Sequence, residues 1–502
     1  MGEAQESVVC ESGPLIWDKL SRTVFLALFA TGLPTFGEDA VPPSPDRPWS
    51  PPGLSEYGTE LSNAIMPDAS AGSIPIDPHR VYDLPQLIDI AERSNPKTRI
   101  AWERARQAAK ALGLSESEYY PYLAASAGAV FEQELVVLTS VFPAHVSAEE
   151  TTLDLKWLLF DFGGRRAAVS ASKERLMAAN VGFNGVHQQI VFAVTRSFYV
   201  YNIARQQVEV AQSALDAART VGEAAQARLN SGLATKPDVL QASQQTAKAE
   251  YDLVAARGDL SDAEVSLVES LGILPTTELH VANVAEKRFD ENFSESLDQL
   301  IDRALSQRPD LVAKLADLHT AQAGIRKARA EYYPKAFFEA SGGWSKIETN
   351  AFGDPYFGNS KPDYSAALAI ELPIFDGFAR RNKLRIAESE LRVAQSELTD
   401  SRNAAVREVW KAYTDLRTAV RKQESADKLL SAAQSAFDAS LEAYRNGLGT
   451  YVDVSNAQRN LTAARSTVVD TRSAIFTSST GLALSVGDLA KPPESPATPQ
   501  HR

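Results

Sequence analysis

Hydrophobic and polar residues alternate in four short segments, two in each half of the chain. These segments cover about 122–132, 151–160, 336–346 and 364–375. Alternation with a period of two over roughly ten residues is typical of a transmembrane barrel strand, which turns apolar side chains to lipid and polar or small ones to the lumen. A half-buried strand of a soluble protein gives the same pattern, so the alternation alone leaves both interpretations open.

A very long helical pattern follows each pair of strands. Residues 164–230 and 379–446 contain few helix breakers and consist mainly of Ala, Gln, Glu, Lys, Arg and Leu. At about 1.5 Å per residue each helix reaches roughly 100 Å, a length that implies coiled-coil packing. A glycine-containing turn ends each long helix, and helices over 237–271 and 451–486 return from these turns. Each half therefore predicts one long helical hairpin.

The two halves are copies of one unit, because identical motifs recur in the same order at a nearly constant spacing. An amphipathic helix, interrupted by proline, begins each copy. The recurring motifs are Leu87-Ile88-Asp89 with Leu300-Ile301-Asp302, Asn95-Pro96 with Arg308-Pro309, Tyr119-Tyr120-Pro121 with Tyr332-Tyr333-Pro334, and Gly232, Thr235 and Asp238 with Gly447, Thr450 and Asp453. Recurrence of this extent indicates a duplicated structural unit.

The duplication sets the predicted domain organisation. The apolar stretch 23–34 is too short to span a bilayer as a helix and fits the apolar part of a signal peptide. Cys10 lies before this stretch, so it is not placed as a lipid-modified cysteine. The predicted segments are a signal-peptide region at 1–40, an extended Pro-rich leader at 41–81, the first repeat at 82–276, a linker at 277–294, the second repeat at 295–487 and a disordered tail at 488–502.

Composition and charge narrow the classes of function. The formal net charge of −13 argues against nucleic acid as a partner, because binding to phosphates needs clustered Lys and Arg. The single cysteine and the six scattered histidines predict neither a disulfide framework nor a metal site, and no cofactor is expected. No arrangement of nucleophile, metal ligands or phosphate-binding loop supports an enzyme.

Four strands in one chain are too few to close a barrel, since the smallest closed transmembrane barrels have about eight. An open strand edge in lipid leaves backbone groups without hydrogen bonds, so several chains must share the barrel. The predicted fold class is therefore an α+β membrane protein. Four transmembrane strands from each of three protomers form a twelve-stranded barrel, and the long helices continue it as a coiled-coil tunnel.

Taken together, these motifs resemble the TolC-like outer-membrane efflux factors over about residues 82–487. The resemblance also includes Pro373-Ile374-Phe375-Asp376-Gly377 at the second strand exit and the two Gly-Leu-x-Thr-x-x-Asp-Val turns. It implies a homotrimer in the outer membrane of a Gram-negative bacterium, with a periplasmic extension and contacts to outer-membrane lipid. It further implies a periplasmic adaptor protein and an inner-membrane pump as partners. The pump supplies the energy, so the chain itself is expected to do no covalent chemistry.

The resemblance assigns roles to the two hairpin turns, which in the family dock the adaptor and close the entrance. The candidate docking residues are Arg228, Gly232, Leu233, Thr235, Tyr444, Gly447, Leu448 and Thr450. The candidate entrance gate consists of Asp238, Asp453 and Tyr444, with three copies of Asp453 forming a ring that attracts cations. Two alternatives stay open: the aspartates cap the return helices, and Tyr444 serves helix packing. Gating is expected in the second turn, where Gly449, Tyr451 and Val452 replace Ala234, Lys236 and Pro237.

Aromatic residues near the strand ends are candidates for girdles at the membrane interfaces, namely Trp157, Trp344 and Tyr364. The segments 133–150 and 347–363 are expected to be exterior loops.

Three functions compete. The first is an efflux duct that passively conducts toxic small molecules, and the alternative is the outer-membrane duct of a type I protein secretion system. A soluble coiled-coil scaffold is a third, which the four amphipathic strands argue against.

Overall fold

The computed structural model describes residues 54, 56–57, 59–60, 76–137, 141–274, 277–283, 296–350 and 357–489. The chain divides into two units, residues 1–72 and 73–502. The described residues of the first unit are helical and exposed. The predicted signal-peptide region, most of the leader and all but the first two residues of the tail lie outside the described residues.

The second unit contains the two repeats, with the same order of elements in each. The first repeat, together with the residue just before it, contains β1 (Val81–Tyr82), α1 (Leu84–Ser94), α2 (Pro96–Ser117), β2 (Tyr122–Val137), β3 (Val141–Phe160), α3 (Gly164–Asn230) and α4 (Lys236–Leu271). The linker and the second repeat contain β4 (His280–Val281), α5 (Leu297–Gln307), α6 (Pro309–Ala330), β5 (Lys335–Asn350), β6 (Phe357–Glu371), α7 (Ala379–Arg445) and α8 (Tyr451–Val486).

The first amphipathic helix of each repeat is two helices, because proline separates them. Asp83 begins α1 with a capping box: its carboxylate accepts from the Gln86 amide at 3.0 Å, and Gln86 accepts from the Asp83 amide at 3.2 Å. At the break, the Asn95 side chain accepts from the Lys97 amide at 3.0 Å and donates to the Ser270 carbonyl at 3.1 Å. The break is therefore fixed to the end of α4.

β2, β3, β5 and β6 form one antiparallel sheet in that order. Its strands are longer than the side-chain alternation predicts: β3 begins at Val141 and β6 at Phe357, inside segments expected to be loops, while β6 ends at Glu371 rather than near 375. Backbone pairing continues to Val137 opposite Val141, beyond the point where the alternation fades. The parallel pair β1–β4 was not predicted, because two-residue strands carry no periodic signal.

The helices continue the sheet in the same lateral order. Next to the sheet the packed order is α2, α3, α6 and α7, and at the far end it is α4, α3, α8 and α7. Equivalent clusters fill the middle of both repeats. The first cluster includes Leu87, Ile90, Val194, Leu267 and Leu271, and the second includes Leu300, Ala304, Val409, Leu482 and Val486.

The junction between sheet and helix depends on an aspartate and an arginine in each repeat. The Asp161 carboxylate accepts from the Arg165 amide at 2.6 Å, and two residues between them, Phe162 and Gly163, have positive φ angles of 51° and 89°. The buried Arg165 guanidinium donates to the carbonyls of Leu158 (2.6 Å), Leu159 (3.1 Å) and Glu118 (3.1 Å).

The second repeat builds the same junction with Asp376 and Arg380. The Asp376 carboxylate accepts from the Arg380 amide at 3.0 Å and from its Nε at 2.8 Å. The arginine lies over the Tyr332 ring, as Arg165 lies over Tyr119. The junction thus ties the sheet to the long helix and to the tyrosine at the end of the preceding helix.

We expect Arg165→Ala to destabilise the folded chain by roughly 3–5 kcal/mol, since three carbonyls lose a charged donor in a buried place. Thermal unfolding of the detergent-purified protein measures the change. Arg166→Ala is the matched control, because Arg166 is exposed and has no side-chain partner among the described residues. Equal melting temperatures for the two variants would contradict the role given to Arg165.

Candidate functional site

The two hairpin turns have the same backbone geometry. Gly232 and Gly447 adopt positive φ angles of 74° and 81°. The following leucine amides donate back into the helix, from Leu233 to the Arg228 carbonyl and from Leu448 to the Ala443 carbonyl, both at 2.8 Å. The leucine side chains are 65% and 86% exposed. Each turn therefore presents an apolar side chain at its apex.

Both return helices begin with a threonine–aspartate pair. The Asp453 carboxylate accepts from the Thr450 hydroxyl at 2.6 Å and from its amide at 3.1 Å, and Asp238 accepts from Thr235 at 2.8 and 2.9 Å in the same way. These hydrogen bonds lower the pKa of both carboxyl groups below the usual range. Within one chain, the aspartates thus act in capping boxes, one of the two alternatives that the sequence left open.

Arg228, at the end of α3, extends into the second hairpin. Its guanidinium donates to the Tyr444 carbonyl and, at 3.0 Å, to the Leu233 carbonyl in its own turn. A longer contact of 3.5 Å reaches the Gly449 carbonyl. The guanidinium also lies 4.6 Å from the centre of the Tyr444 ring, within cation–π range. Arg228 therefore connects the two hairpin turns of one protomer.

Tyr444 is packed rather than presented at the surface. It is 2% exposed, and its ring meets Tyr451 edge-to-face at a centroid distance of 6.4 Å. Burial raises the pKa of both phenols. The Tyr444 hydroxyl has no hydrogen-bond partner among the described residues. Within one chain, Tyr444 therefore serves helix packing, which is one of the alternatives that the sequence left open. It belongs to a cluster that also contains Val221, Phe437, Val454 and Leu461.

The two turns differ in composition at these positions. The position equivalent to Arg228 in the second repeat is Ala443, and the positions equivalent to Tyr444 and Tyr451 in the first repeat are Leu229 and Lys236. Comparing the two copies in the sequence shows that the second turn differs from the first. It does not predict that Arg228, from the first turn, contacts Tyr444 in the second. That contact needs the packing of α3 against α8, which appears only in the fold.

In its central rows the sheet carries mostly apolar side chains on one face and most of its polar side chains on the other, which also includes Tyr122, Ala124, Phe337 and Ala367. Residues paired across the sheet share a face. One face carries Leu123, Ala125, Leu153, Leu155, Trp157, Phe338, Ala340, Trp344, Tyr364, Ala366, Leu368 and Ile370. The other carries Ser126, Thr152, Asp154, Lys156, Glu339, Ser341, Asp363 and Ser365.

All three predicted girdle residues lie on the apolar face. Trp157 pairs with Phe338 near the helical end of the sheet, and Trp344 lies six residues farther along β5. At about 3.4 Å per residue, roughly 20 Å of strand separates the two tryptophans. Tyr364 is 86% exposed and pairs with Gly342. The polar face is internally hydrogen-bonded, with Ser341 and Ser365 at 2.8 Å.

A second group of aromatic residues lies at the junction of sheet and helices. Phe160 contacts Phe162 at a centroid distance of 4.7 Å, and Phe162 stacks on Tyr333 at 4.9 Å. The Trp157 indole donates to the Tyr119 carbonyl at 2.9 Å. Tyr119 and Tyr333 belong to the repeated Tyr-Tyr-Pro motifs, whereas Trp157, Phe160 and Phe162 lie at the end of β3 and just after it. The sequence does not predict this group, because it forms only when the helix ends pack against the exit of the strand.

Within the ranges that the structure describes, no group of three or more His, Cys, Asp or Glu residues is arranged to hold a metal ion. No described helix is both long enough and apolar enough to cross a membrane.

Comparison with known proteins gives consistent matches over both repeats. The model of the family described as "Outer membrane efflux protein" matches residues 87–273 and 300–488. Protein CyaE of Bordetella pertussis is 30% identical over 429 residues, which are 84% of this chain and 88% of CyaE. The pyoverdine export outer membrane protein OpmQ of Pseudomonas aeruginosa is 27% identical over 335 residues, 65% of this chain and 67% of OpmQ.

The fold is also similar to a solved structure, that of the outer-membrane channel OprN. The TM-score is 0.72 at 18% sequence identity, covering 84% of this chain and 97% of that one. At this identity the similarity describes the fold alone.

We expect Arg228→Ala to loosen the second turn, because a charged donor to two carbonyls of that turn is lost. Hydrogen exchange of the amides in 444–452 should become about tenfold faster or more. Arg445→Ala is the matched control: Arg445 is exposed at the end of α7 and has no side-chain partner among the described residues. Unchanged exchange in Arg228→Ala would show that the contact does not hold the turn.

The capping boxes predict how the turns respond to acid. Because the folded pKa of Asp453 is lower than its ordinary value of 3.8, its stabilising effect is complete above 3.8 and is lost as pH falls through the folded pKa. We expect the first turn of α8 to stay protected from exchange between pH 7 and about 4, after correction for intrinsic rates. In Asp453→Ala the protection should already be lower at pH 7 and should not change further in acid.

Proposed function

The chain belongs to the outer membrane efflux protein family, and on that premise we propose that it is the outer-membrane channel of a tripartite efflux system. The channel passively conducts toxic small molecules to the exterior, while a periplasmic adaptor delivers them and an inner-membrane pump supplies the energy. The observation that carries the proposal is the four-stranded sheet with one apolar face and two free edges, continued by helices in the same lateral order.

Three copies of the chain close the barrel. The outer edges of β2 and β6 have no neighbouring strand in the described chain, and in lipid such edges would leave backbone groups without hydrogen bonds. Joining β6 of one protomer to β2 of the next gives a closed twelve-stranded barrel for a trimer. The two edges of the sheet and the two outermost helices α7 and α4 then meet at the same boundary between protomers.

Exposed apolar residues on the outermost helices support this closure. On α4, Tyr251, Val254 and Val265 are 69%, 67% and 48% exposed, and their spacing fits one seam of a coiled coil. On α7, Trp410 is 58% and Leu429 is 51% exposed. Large apolar side chains in a row on an otherwise polar helix are expected at a protein interface. The partner proposed for them is the adjacent protomer.

The apolar face of the sheet supports placement of the barrel in the membrane. Its roughly 20 Å between Trp157 and Trp344 is close to the apolar band of about 25 Å found around transmembrane barrels. The polar face, with Asp154, Lys156 and Glu339, then lines the lumen. An ion pair between Lys156 and Glu339 at 3.1 Å balances part of this charge.

The turns supply the proposed adaptor contact and entrance. Leu233 and Leu448 provide exposed apolar anchors, supported by Gly232, Thr235, Gly447 and Thr450 in the backbone of the turns. Three copies each of Asp453 and Asp238 surround the entrance as ionised carboxylates near neutral pH, because their pKa values are lowered. Their threonine partners fix them in place. Arg228 and Tyr444 contribute indirectly, because their contact holds the two turns of a protomer together.

Deleting the gene should sensitise cells to a panel of toxic compounds at least fourfold in inhibitory concentration, and the wild-type chain should restore resistance. A Leu233→Asp/Leu448→Asp variant should form the trimer but fail to restore resistance, since desolvated apolar anchors carry much of an interface's binding energy. Ser231→Asp is the control for added charge, because it places one carboxylate beside the apex of the first turn without removing a leucine. Loss of polypeptide export with unchanged resistance would favour a secretion duct instead.

A further inference from the structure

Five basic side chains surround the junction of sheet and helices, and none of them has a partner among the described residues. Arg166 and Lys173 belong to the first repeat, and Arg329, Arg381 and Arg385 to the second. All five are exposed, and none forms an ion pair or a side-chain hydrogen bond with a residue that the structure describes. We call these five residues the basic collar. Arg166 and Arg381 are equivalent in the two repeats, whereas the positions equivalent to Lys173, Arg329 and Arg385 carry Glu388, Glu116 and Ser170.

In the first repeat, the collar residues line a crevice between α2 and α3. Its volume is about 570 Å³, and its walls are formed by Glu116, Tyr119, Tyr120, Arg166, Val169, Ser170 and Lys173. The positions on α3 follow the spacing of one helix face. In the second repeat, the equivalent positions between α6 and α7 carry Arg329, Tyr332, Tyr333, Arg381, Leu384, Arg385 and Glu388. The tyrosines and an arginine are thus common to both, and basic residues outnumber acidic ones.

The crevice lies on the outer surface of the helical layer. A different groove, of about 630 Å³, is lined by residues from all four helices α2, α3, α6 and α7, and in the proposed tube this groove, which spans the whole layer, faces the lumen. On α3 that groove uses Ala167, Ala171 and Arg175, which lie on the opposite helix face from Arg166 and Lys173. The basic collar therefore points away from the lumen.

The collar lies just below the apolar face of the sheet. The Trp157 indole, on that face, is hydrogen-bonded to the carbonyl of Tyr119, which lines the crevice. Glu116 lies in the last turn of α2, roughly one helical turn of about 5 Å from the tyrosines that follow the helix. The polar head-group layer of a bilayer leaflet is roughly 5–8 Å thick. The tyrosines and Arg166 are accordingly at head-group depth when the apolar face is in the hydrocarbon.

Arg166 and Arg381 also occupy an electrostatically unfavourable position. They lie in the first turns of α3 and α7, where the helix dipole favours negative charge. The charges of the neighbouring Arg165 and Arg380 have partners, since these side chains donate to carbonyls and bond to an aspartate. Arg166 and Arg381 have no such partner. An anion held at the crevice would offset both their charge and that of the helix end.

We propose that the basic collar binds the phosphate groups of anionic phospholipids in the periplasmic leaflet of the outer membrane. The position rests on the proposed insertion of the sheet into the membrane. Phospholipid fits better than a free anion, because the crevice combines arginines with tyrosines directly beside the apolar face, as expected for a head group whose acyl chains lie against the sheet. The collar fixes the depth of the barrel and the angle at which the tunnel leaves the membrane.

The test is native mass spectrometry of the full-chain trimer in detergent, titrated with phosphatidylglycerol or phosphatidylcholine. We expect wild type to bind phosphatidylglycerol at least tenfold more tightly at low salt. The triple variant Arg166→Gln/Arg381→Gln/Arg385→Gln should lose most of this preference, because basic residues near an anionic lipid surface supply the attraction. Arg175→Gln is the matched control, since Arg175 is basic and on α3 but lines the opposite groove.

Equal affinity of wild type for the two lipids would overturn the proposal, and so would an equal loss in Arg175→Gln. Competition by inorganic phosphate at concentrations similar to those of the lipid would replace it with a site for a free anion. Insertion of the trimer into vesicles is measured separately by flotation. Failure to insert would refute the proposed function together with the collar, whereas insertion without a preference for phosphatidylglycerol would refute the collar alone.

Discussion

The two free edges of the four-stranded sheet are the constraint on which the rest of the structure depends. Unpaired amides and carbonyls along β2 and β6 cannot be tolerated in lipid, and the chain has no further strand among its described residues to cover them. In the proposed barrel, copies of the chain supply the missing pairs. Since each strand runs directly into a helix, closing the sheet also fixes the neighbours of every helix at the protomer boundary.

Duplication makes this closure geometrically simple. Each repeat brings one strand hairpin and one helical hairpin, joined by the same aspartate–arginine junction. Arg165 donates to the carbonyls of Leu158 and Leu159, and Arg380 to that of Ile374, which is the position equivalent to Leu159. In the proposed trimer, the packing between the two repeats of one protomer recurs between the repeats of adjacent protomers. At the turns this equivalence ends, since Arg228 has alanine as its counterpart.

The sequence predicted those parts of the fold that depend on local periodicity. It predicted the long helix beginning at Gly164 and the helix Tyr451–Val486, because helix starts and glycine turns leave clear signals. It also predicted which side chains share the apolar face. It did not predict the full length of β3 or the β1–β4 pair, since these depend on backbone pairing with distant strands.

The candidate site was predictable to a smaller extent, for the same reason. The threonine–aspartate boxes are local, and capping was one of two interpretations available from the sequence. The environment of Tyr444 is not local, because it is created by Arg228 from more than two hundred residues earlier in the chain.

The two ends of the molecule use arginine differently, and this difference follows from what each end must do. At the sheet, both repeats carry the junction arginine, although Arg165 donates to three carbonyls and Arg380 to one. At the turns, only the contact within a protomer has Arg228. In the proposed trimer, the equivalent contact between protomers would place Ala443 beside Ala234. An arginine thus ties the two turns of one protomer together, and the turns of adjacent protomers lack the equivalent side chain.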